Sequence, residues 1–230
     1  MKEILVLMVK APVKGKVKTR LALDMGDAPA LELYRSFVMD MLDGLEGDGY
    51  SPAIGCYPPE DLDVIKDWLE KDREYMIQKG SDIGERQGSL FKEAFRKGAE
   101  KAVVMSSDCP DIDIGLVRSA FKELDEHDCV ICPAEDGGYC LIGFKKSGYK
   151  GWPYREINWS TPEVMDQMRG TAERSGIDLL DLGCCFDIDD GEGLLSFLKR
   201  PGSDKRAPRT WRTAKDLGIG NENGLNRSAP

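Results

Sequence analysis

ILVLMVKAPVKGKVKTR, residues 4–20, sets six apolar residues directly ahead of a segment that carries Lys10, Lys14, Lys16, Lys18 and Arg20 and no acid. An apolar run of this length reads as a short strand buried on both faces, which in a globular chain means a strand of a covered, mostly parallel sheet. A loop and then a helix are expected to follow it, which puts backbone N–H groups and cationic side chains at the carboxyl edge of the sheet. That edge is the usual ligand crevice of an open α/β fold, and phosphate is the ligand that N–H groups and cations together favour. A solvated charged turn is the alternative, but the charges lie at the mouth of a strand and not along a helix face.

Working outward, apolar or β-branched runs at 53–57, 74–78, 102–106, 129–134 and 139–144 read as further strands, with a weaker one at 177–182. Helical spacing recurs between them, in Tyr34, Phe37, Val38, Met41, Leu42 and Leu45, in Leu62, Ile65 and Leu69, in Phe91, Ala94 and Phe95, and in Val117, Ala120, Phe121 and Leu124. Ser160 or Thr161, with Pro162 and Glu163, starts a helix over 163–174, and Asp189 or Asp190 caps one that runs through Leu198. The alternation predicts an α/β fold with three layers and a mixed, mostly parallel sheet. The mixed character comes from 129–134 and 139–144, which only Glu135 to Gly138 connect, too few residues for a crossover helix. A short helix is expected over 210–217, and 218–230 reads as a disordered tail following a single domain over 1–217.

The 230 residues are 41% hydrophobic, enough to bury roughly 70 to 75% of the unfolded surface without staples. Seven scattered cysteines, an odd number, argue against a secreted disulfide framework and for a reducing cytoplasm. Cys129 and Cys132 form a CxxC, read as small hydrophobes of a strand because no second pair completes a zinc site. The first apolar run is too short for a signal peptide core or a membrane span. A net charge of −9 leaves no basic face large enough for nucleic acid, so the ligand of the basic loop is expected to be small. The composition leaves a homodimer open.

One histidine, His127, sits in an acidic run at a predicted helix end and reads as a solvated residue, so carboxylates must carry any chemistry. Asp108 is the foremost: it follows the strand AVVM, where a carboxylate is positioned to hold Mg²⁺ against nucleotide phosphates. Asp111 and Asp113 read as caps of the next helix. A second acidic group, Asp187, Asp189 and Asp190, divides between a second metal ligand and a helix cap. GKVKT echoes a Walker loop but lacks the earlier glycine, and Lys16 is not followed by Ser or Thr.

Six segments, VKAPVKGKVKTRL at 9–21, GSDIGER at 80–86, SSDCPDI at 106–112, PAEDGGYCLIGF at 133–144, INWST at 157–161 and FDIDD at 186–190, together resemble the GT-A-like nucleotide-diphospho-sugar transferase superfamily. Within it they resemble an uncharacterised bacterial glycosyltransferase-like branch, related to the phospholactate and molybdenum-cofactor guanylyltransferases. The resemblance implies a GT-A, Rossmann-like fold. It implies that Lys10, Pro12, Gly15, Lys18, Thr19 and Arg20 hold nucleotide phosphates, and that Ser81 and Asp82 read the base or ribose. Asp108, with Asp187 or Asp189, would bind Mg²⁺ or Mn²⁺. Asp136 would bind the acceptor or act as base, and Gly137, Gly138, Tyr139, Trp159, Ser160 and Thr161 would line the acceptor side. Local readings compete at three of these places: a hairpin turn for Asp136 and Gly137, an N-cap for Ser81 and Asp82, and a core ring for Trp159. A departure from the family pattern follows the last acids, where Gly191 and Gly193 enter the expected helix start.

The implied reaction is nucleotidyl transfer from a nucleoside triphosphate to a small phosphorylated or hydroxyl acceptor, since five cations suit a triphosphate. Glycosyl transfer from a sugar nucleotide is the alternative, and a nucleotide-binding module without turnover is the third reading.

Overall fold

The computed structural model describes residues 2–46, 49–151 and 157–220. In chain order the elements are β1 (Glu3–Lys10), α1 (Thr19–Met25), α2 (Asp27–Gly44), β2 (Ser51–Tyr57), a 3₁₀ turn (Pro59–Asp61), α3 (Leu62–Leu69), β3 (Tyr75–Ile77), α4 (Ile83–Arg96) and β4 (Lys101–Met105). They continue with α5 (Ile114–Glu123), β5 (Cys129–Pro133), β6 (Tyr139–Lys145), α6 (Val164–Ser175), β7 (Leu179–Asp181), α7 (Gly191–Lys199), α8 (Ser203–Arg206) and α9 (Pro208–Asp216). No described helix is long and apolar enough to cross a membrane.

The strands form one sheet in the order β3-β2-β1-β4-β6-β5-β7. All neighbours are parallel except β6, which runs antiparallel to both β4 and β5. The expected mixed, mostly parallel sheet is therefore present, with a single reversed strand at its centre. Strand order turns outward in opposite directions from β1 and β4, the switch point at which open α/β sheets form their crevice.

The alternation of β1 explains the three layers. Leu5, Leu7 and Val9 pack with Val38, Met41, Ile65, Val117 and Phe121 from α2, α3 and α5. Ile4, Val6 and Met8 pack on the opposite face with Leu90, Phe91, Val164 and Met168 from α4 and α6. Successive side chains of a strand point to opposite faces, so a continuously apolar strand must be covered twice. The same rule separates Cys129 and Cys132: three apart in β5, they enter different cores and cannot form a CxxC pair.

A third cluster joins Leu21, Leu33 and Phe37 to Ile188, Leu194, Phe197, Ala214 and Ile219, so that the C-terminal helices clasp α1 and α2. This corrects the expected tail at its start. Ile219 is buried and its N–H donates to the Ala214 carbonyl, so 218–220 completes the α9 terminus, while 221–230 lies outside the described residues. Two further differences are local. The helix expected from Tyr34 begins at Asp27, and Gly26 at φ +87° separates it from α1. At α6, Glu163 is the N-cap without a side-chain bond, and the Thr161 hydroxyl donates to the Asn158 carbonyl instead of capping.

Candidate functional site

The basic loop leaves β1 at the switch point and is anchored on Tyr34, whose hydroxyl accepts from the Lys10 N–H and donates to the Lys10 carbonyl, both at 2.8 Å. Its last residue, Lys18, has the left-handed backbone (φ 46°, ψ 48°) that starts α1. Its side chain, 5% exposed, turns inward: Nζ lies 2.5 Å from Asp108 Oδ1, 3.0 Å from Asp189 Oδ1 and donates at 2.7 Å to the Ile188 carbonyl. All three ammonium protons thus have acceptors. Burial alone would lower the Lys18 pKa, but Asp108 and Asp189 outweigh it and hold it above the ordinary lysine value.

The acids arrive from three places. Asp108 follows β4 and accepts an N–H bond at its carbonyl from Ile188. Residues 182–188 run beside the end of β5, with the Leu182 N–H on the Ile131 carbonyl, the Cys185 N–H on the Pro133 carbonyl and an Ala134–Cys185 bridge. That run delivers Asp187 and Asp189 to the crevice. Asp136 stands at the tip of the β5–β6 hairpin, where its Oδ1 accepts from the Gly138 N–H.

Carboxylate oxygens of Asp136, Asp187 and Asp189 lie within 4.8 Å of one another. Hard oxygen donors in a group of three fit Mg²⁺ or Mn²⁺, which take carboxylates and complete their shells with water or phosphate. Asp187 and Asp189, expected beside Asp108 at a metal, thus stand together with Asp136, which was expected as an acceptor residue or base. Lys18 pairs with both Asp108 and Asp189. Burial, and then Asp136, Asp189 and Asp108, push the Asp187 pKa up to about 6, as expected where like charges crowd without a counter-ion. Asp190 takes the other role foreseen for this group, capping α7 by accepting from the Gly193 N–H.

These groups line a crevice of about 530 Å³, a volume suited to a nucleotide-sized ligand. Its lining carries the cations Lys10, Lys16, Lys18, Arg20 and Arg86 and the carboxylates Asp108, Asp136, Asp187 and Asp189, with Lys18 paired to Asp108 and Asp189 and Arg20 to Asp189. Burial, then Arg86 and Lys16, lower the Lys10 pKa, so these three cations share one neighbourhood. Of the expected residues, Lys10, Lys18, Thr19, Arg20, Asp108, Asp136, Gly138, Tyr139, Ser160, Asp187 and Asp189 line this crevice. Pro12, Gly15, Ser81, Asp82, Gly137, Trp159 and Thr161 do not.

For several of the latter the structure supplies another role. Asp82 caps α4 by accepting from the Glu85 N–H, and Ser81 donates from its N–H and hydroxyl to the Glu85 carboxylate. Trp159 packs edge-on against Tyr139 and joins the core. Gly137, at φ +87°, lies so close to the Pro162 carbonyl that a Cβ would run into it. Gly137→Ala is expected to cost about 2 to 3 kcal/mol, from the left-handed backbone and the collision together, read as a lowered urea midpoint. His127 pairs with Asp178 outside the crevice.

Four lining residues were not foreseen by role. Arg86 lies 3.8 Å above the Tyr57 ring and donates to the Tyr57 hydroxyl. Gln87 accepts from the Tyr139 hydroxyl at 2.5 Å, and Gln78 donates to the Gly55 carbonyl. The available signal for Arg86 was its place one turn inside α4, directly after the Asp82 cap.

The cysteine expectation is amended as well. Cys140 and Cys185 are joined by a disulfide, and the other five cysteines are free. The pair is 45 residues apart in sequence and is brought together only by the run of 182–188 beside β5.

Comparison with known proteins adds the following. Residues 45–161 match a family described as uncharacterised proteins conserved in bacteria (DUF2064). A structure from Desulfovibrio desulfuricans G20, provisionally assigned as a nucleotide-diphospho-sugar transferase, is 33% identical and superposes with a TM-score of 0.89 over 95% of this chain and 96% of its own. A cytidylyltransferase from Leptospira borgpetersenii serovar Hardjo-bovis (12% identity, TM-score 0.55) covers 100% of this chain and 99% of its own. A 4-diphosphocytidyl-2C-methyl-D-erythritol synthase from Anaerococcus prevotii (16% identity, TM-score 0.53) covers 86% and 99%. The last two share the fold. No protein of curated function matches.

Proposed function

Since the chain belongs to the DUF2064 family of bacterial proteins, within the nucleotide-diphospho-sugar transferase superfamily, we propose that it is a divalent-metal-dependent nucleotidyltransferase acting on a small phosphorylated or hydroxyl acceptor. The observation that carries this reading is the meeting of five cations and four carboxylates in the lining of one crevice at the sheet switch point. Cations alone would suit any anion, and carboxylates alone any metal. Both in one crevice of about 530 Å³ suit a metal-chelated polyphosphate.

In this mechanism Lys10, Lys16, Arg20 and Arg86 hold the phosphates and take up the charge that develops on departing pyrophosphate. Asp136, Asp187 and Asp189 would hold Mg²⁺ or Mn²⁺, which supplies charge neutralisation at the phosphoryl oxygens. Lys18 fixes Asp108 and Asp189 against the end of α1, so the acids are in place before substrate arrives. The acceptor enters past Ser160, Gly138 and Tyr139, on the Asp136 side. The nucleotide lies between the basic loop and the first turn of α4, where Arg86 and Gln87 meet it.

The test is a screen of the four nucleoside triphosphates and of sugar nucleotides for metal-dependent thermal stabilisation, followed by a pyrophosphate-release assay with phosphorylated acceptors. A ligand at a hundred times its dissociation constant adds about 2.7 kcal/mol and is readily seen. Triphosphate preference with pyrophosphate release supports nucleotidyl transfer. Stabilisation by sugar nucleotides alone, without pyrophosphate release, replaces it with glycosyl transfer, the reading favoured by the assignment of the Desulfovibrio structure. Arg86→Ala is expected to weaken the preferred nucleotide by about 10 to 100-fold, the worth of one or two charge-assisted hydrogen bonds. Equal calorimetric affinity in that variant would remove Arg86 from the site.

A further inference from the structure

Four sulfur atoms from four separate segments meet behind the acid cluster. Cys109 follows Asp108, Cys132 belongs to β5, Cys140 to β6, and Cys185 precedes Asp187 by two residues. The Sγ atoms of Cys109, Cys140 and Cys185 lie within 4.8 Å of one another, and that of Cys132 is 2.7 Å from that of Cys185. All four residues are buried. Filling a core needs no such convergence, as Cys129 and Cys56 show by packing in other parts of it. A disulfide uses two of these sulfurs and leaves two buried thiols beside it, of which Cys132 donates to the Gly183 carbonyl.

The geometry points to a thiolate site for a borderline-soft divalent cation of the zinc class, built by Cys109, Cys140 and Cys185 with Cys132 beside them, in the chain whose Cys140–Cys185 bond is reduced. Tetrahedral zinc at about 2.3 Å from each sulfur places the sulfurs about 3.8 Å apart, so once the Cys140–Cys185 bond is opened its two sulfurs must part, as must those of Cys132 and Cys185, while Cys109 already lies within 4.8 Å of Cys140 and Cys185. Sulfur donors select zinc, whereas the carboxylates of the crevice select Mg²⁺ or Mn²⁺, so two neighbouring sites would hold different ions.

A second cavity, of about 540 Å³, is lined by Cys109 and Cys185 together with Phe186, Arg200 and the exposed Cys184. Metal and disulfide exclude each other at Cys140 and Cys185. A trialkylphosphine opens the bond by giving two electrons, water supplies the two protons and its oxygen ends on the phosphine, and both thiols are then free for the ion.

Cobalt(II) is the probe. The full chain, reduced with a trialkylphosphine and stripped by a chelator, is titrated with Co²⁺. About one equivalent is expected to bind with a near-ultraviolet sulfur-to-cobalt charge-transfer band, bleached on adding Zn²⁺. Asp136→Asn, which disables the carboxylate site, is expected to keep the band, and Cys109→Ala and Cys185→Ala to lose it. Should either cysteine variant fail to fold, the unaltered protein decides: zinc is expected to protect Cys109, Cys140 and Cys185 from alkylation, mapped by mass spectrometry. Cobalt binding without the band, a band that survives the cysteine replacements, or alkylation unaffected by zinc each overturns the site. None of these readouts depends on turnover or on the nucleotide assignment.

Discussion

Replacing Lys18 with methionine is expected to cut turnover at least about a hundredfold and to lower stability by about 2 kcal/mol. Lys18 holds Asp108, Asp189 and the Ile188 carbonyl with one ammonium group, so its loss frees two acid-bearing segments at once. Breaking a buried pair usually costs about 3 to 5 kcal/mol, but Asp108 and Asp189 are 35% and 39% exposed and recover water, which reduces the penalty. The melting temperature should fall by about 4 to 8 °C. The sign with pH follows from the raised Lys18 pKa: its contribution is complete at every pH below the ordinary lysine value of 10.5 and is lost only above it. Lys18→Arg should not restore activity, because a planar fork cannot satisfy three acceptors around a point charge. A methionine variant with unchanged melting and turnover would show that the crevice organises itself without Lys18.

The second large effect is expected at Asp187. Asp187→Asn should abolish most of the thermal stabilisation given by Mg²⁺ or Mn²⁺ and cut turnover about a hundredfold or more. Its raised pKa also fixes a pH signature. A carboxylate whose folded pKa is about 6, above its unfolded value of 3.8, costs stability once ionised: nothing below pH about 4, and the full amount above pH about 6. In metal-free buffer the asparagine variant should therefore be the more stable at pH 8, by about 1 to 2 kcal/mol after discount for solvent, and match the parent near pH 4. With metal added, the order at pH 8 should reverse. Denaturant titrations at the two pH values, with and without Mg²⁺, separate these cases. A variant that responds to metal as the parent does would leave Asp187 outside the ion's shell.

Much of this was legible in the chain. The strands stand within two residues of their apolar runs, because a strand buried on both faces is written as continuous Val, Ile and Leu. An antiparallel pair followed from the four residues that connect 129–134 to 139–144, though not which strand is reversed, and the place of Asp108 after AVVM puts it in the crevice lining. What could not be read was pairing across distance. Lys18 and Asp189 are 171 residues apart, and no periodicity links them. The same holds for the sulfur cluster and for Asp136, whose local Asp-Gly signal was that of an ordinary hairpin. On α4, the pattern gave the buried face but not which end faces the crevice, so Asp82 was favoured over Arg86. Residues 218–220 fell in the expected tail because Gly218 and Gly220 flank a single apolar residue, Ile219, whose side chain holds the segment in place.

The clasp of the C-terminal helices on α1 and α2 has a consequence for biosynthesis. The basic loop leaves the ribosome about 170 residues ahead of its partners Ile188 and Asp189. Contacts of such high sequence separation form late in folding, after the loop-closure entropy between them has been met. A nascent chain can thus complete β1, β2 and β4 with their helices and still have no crevice, its ammonium group facing water. A chain arrested short of residue 187 lacks Asp187 and Asp189 and is expected to be inert for want of its own distant half.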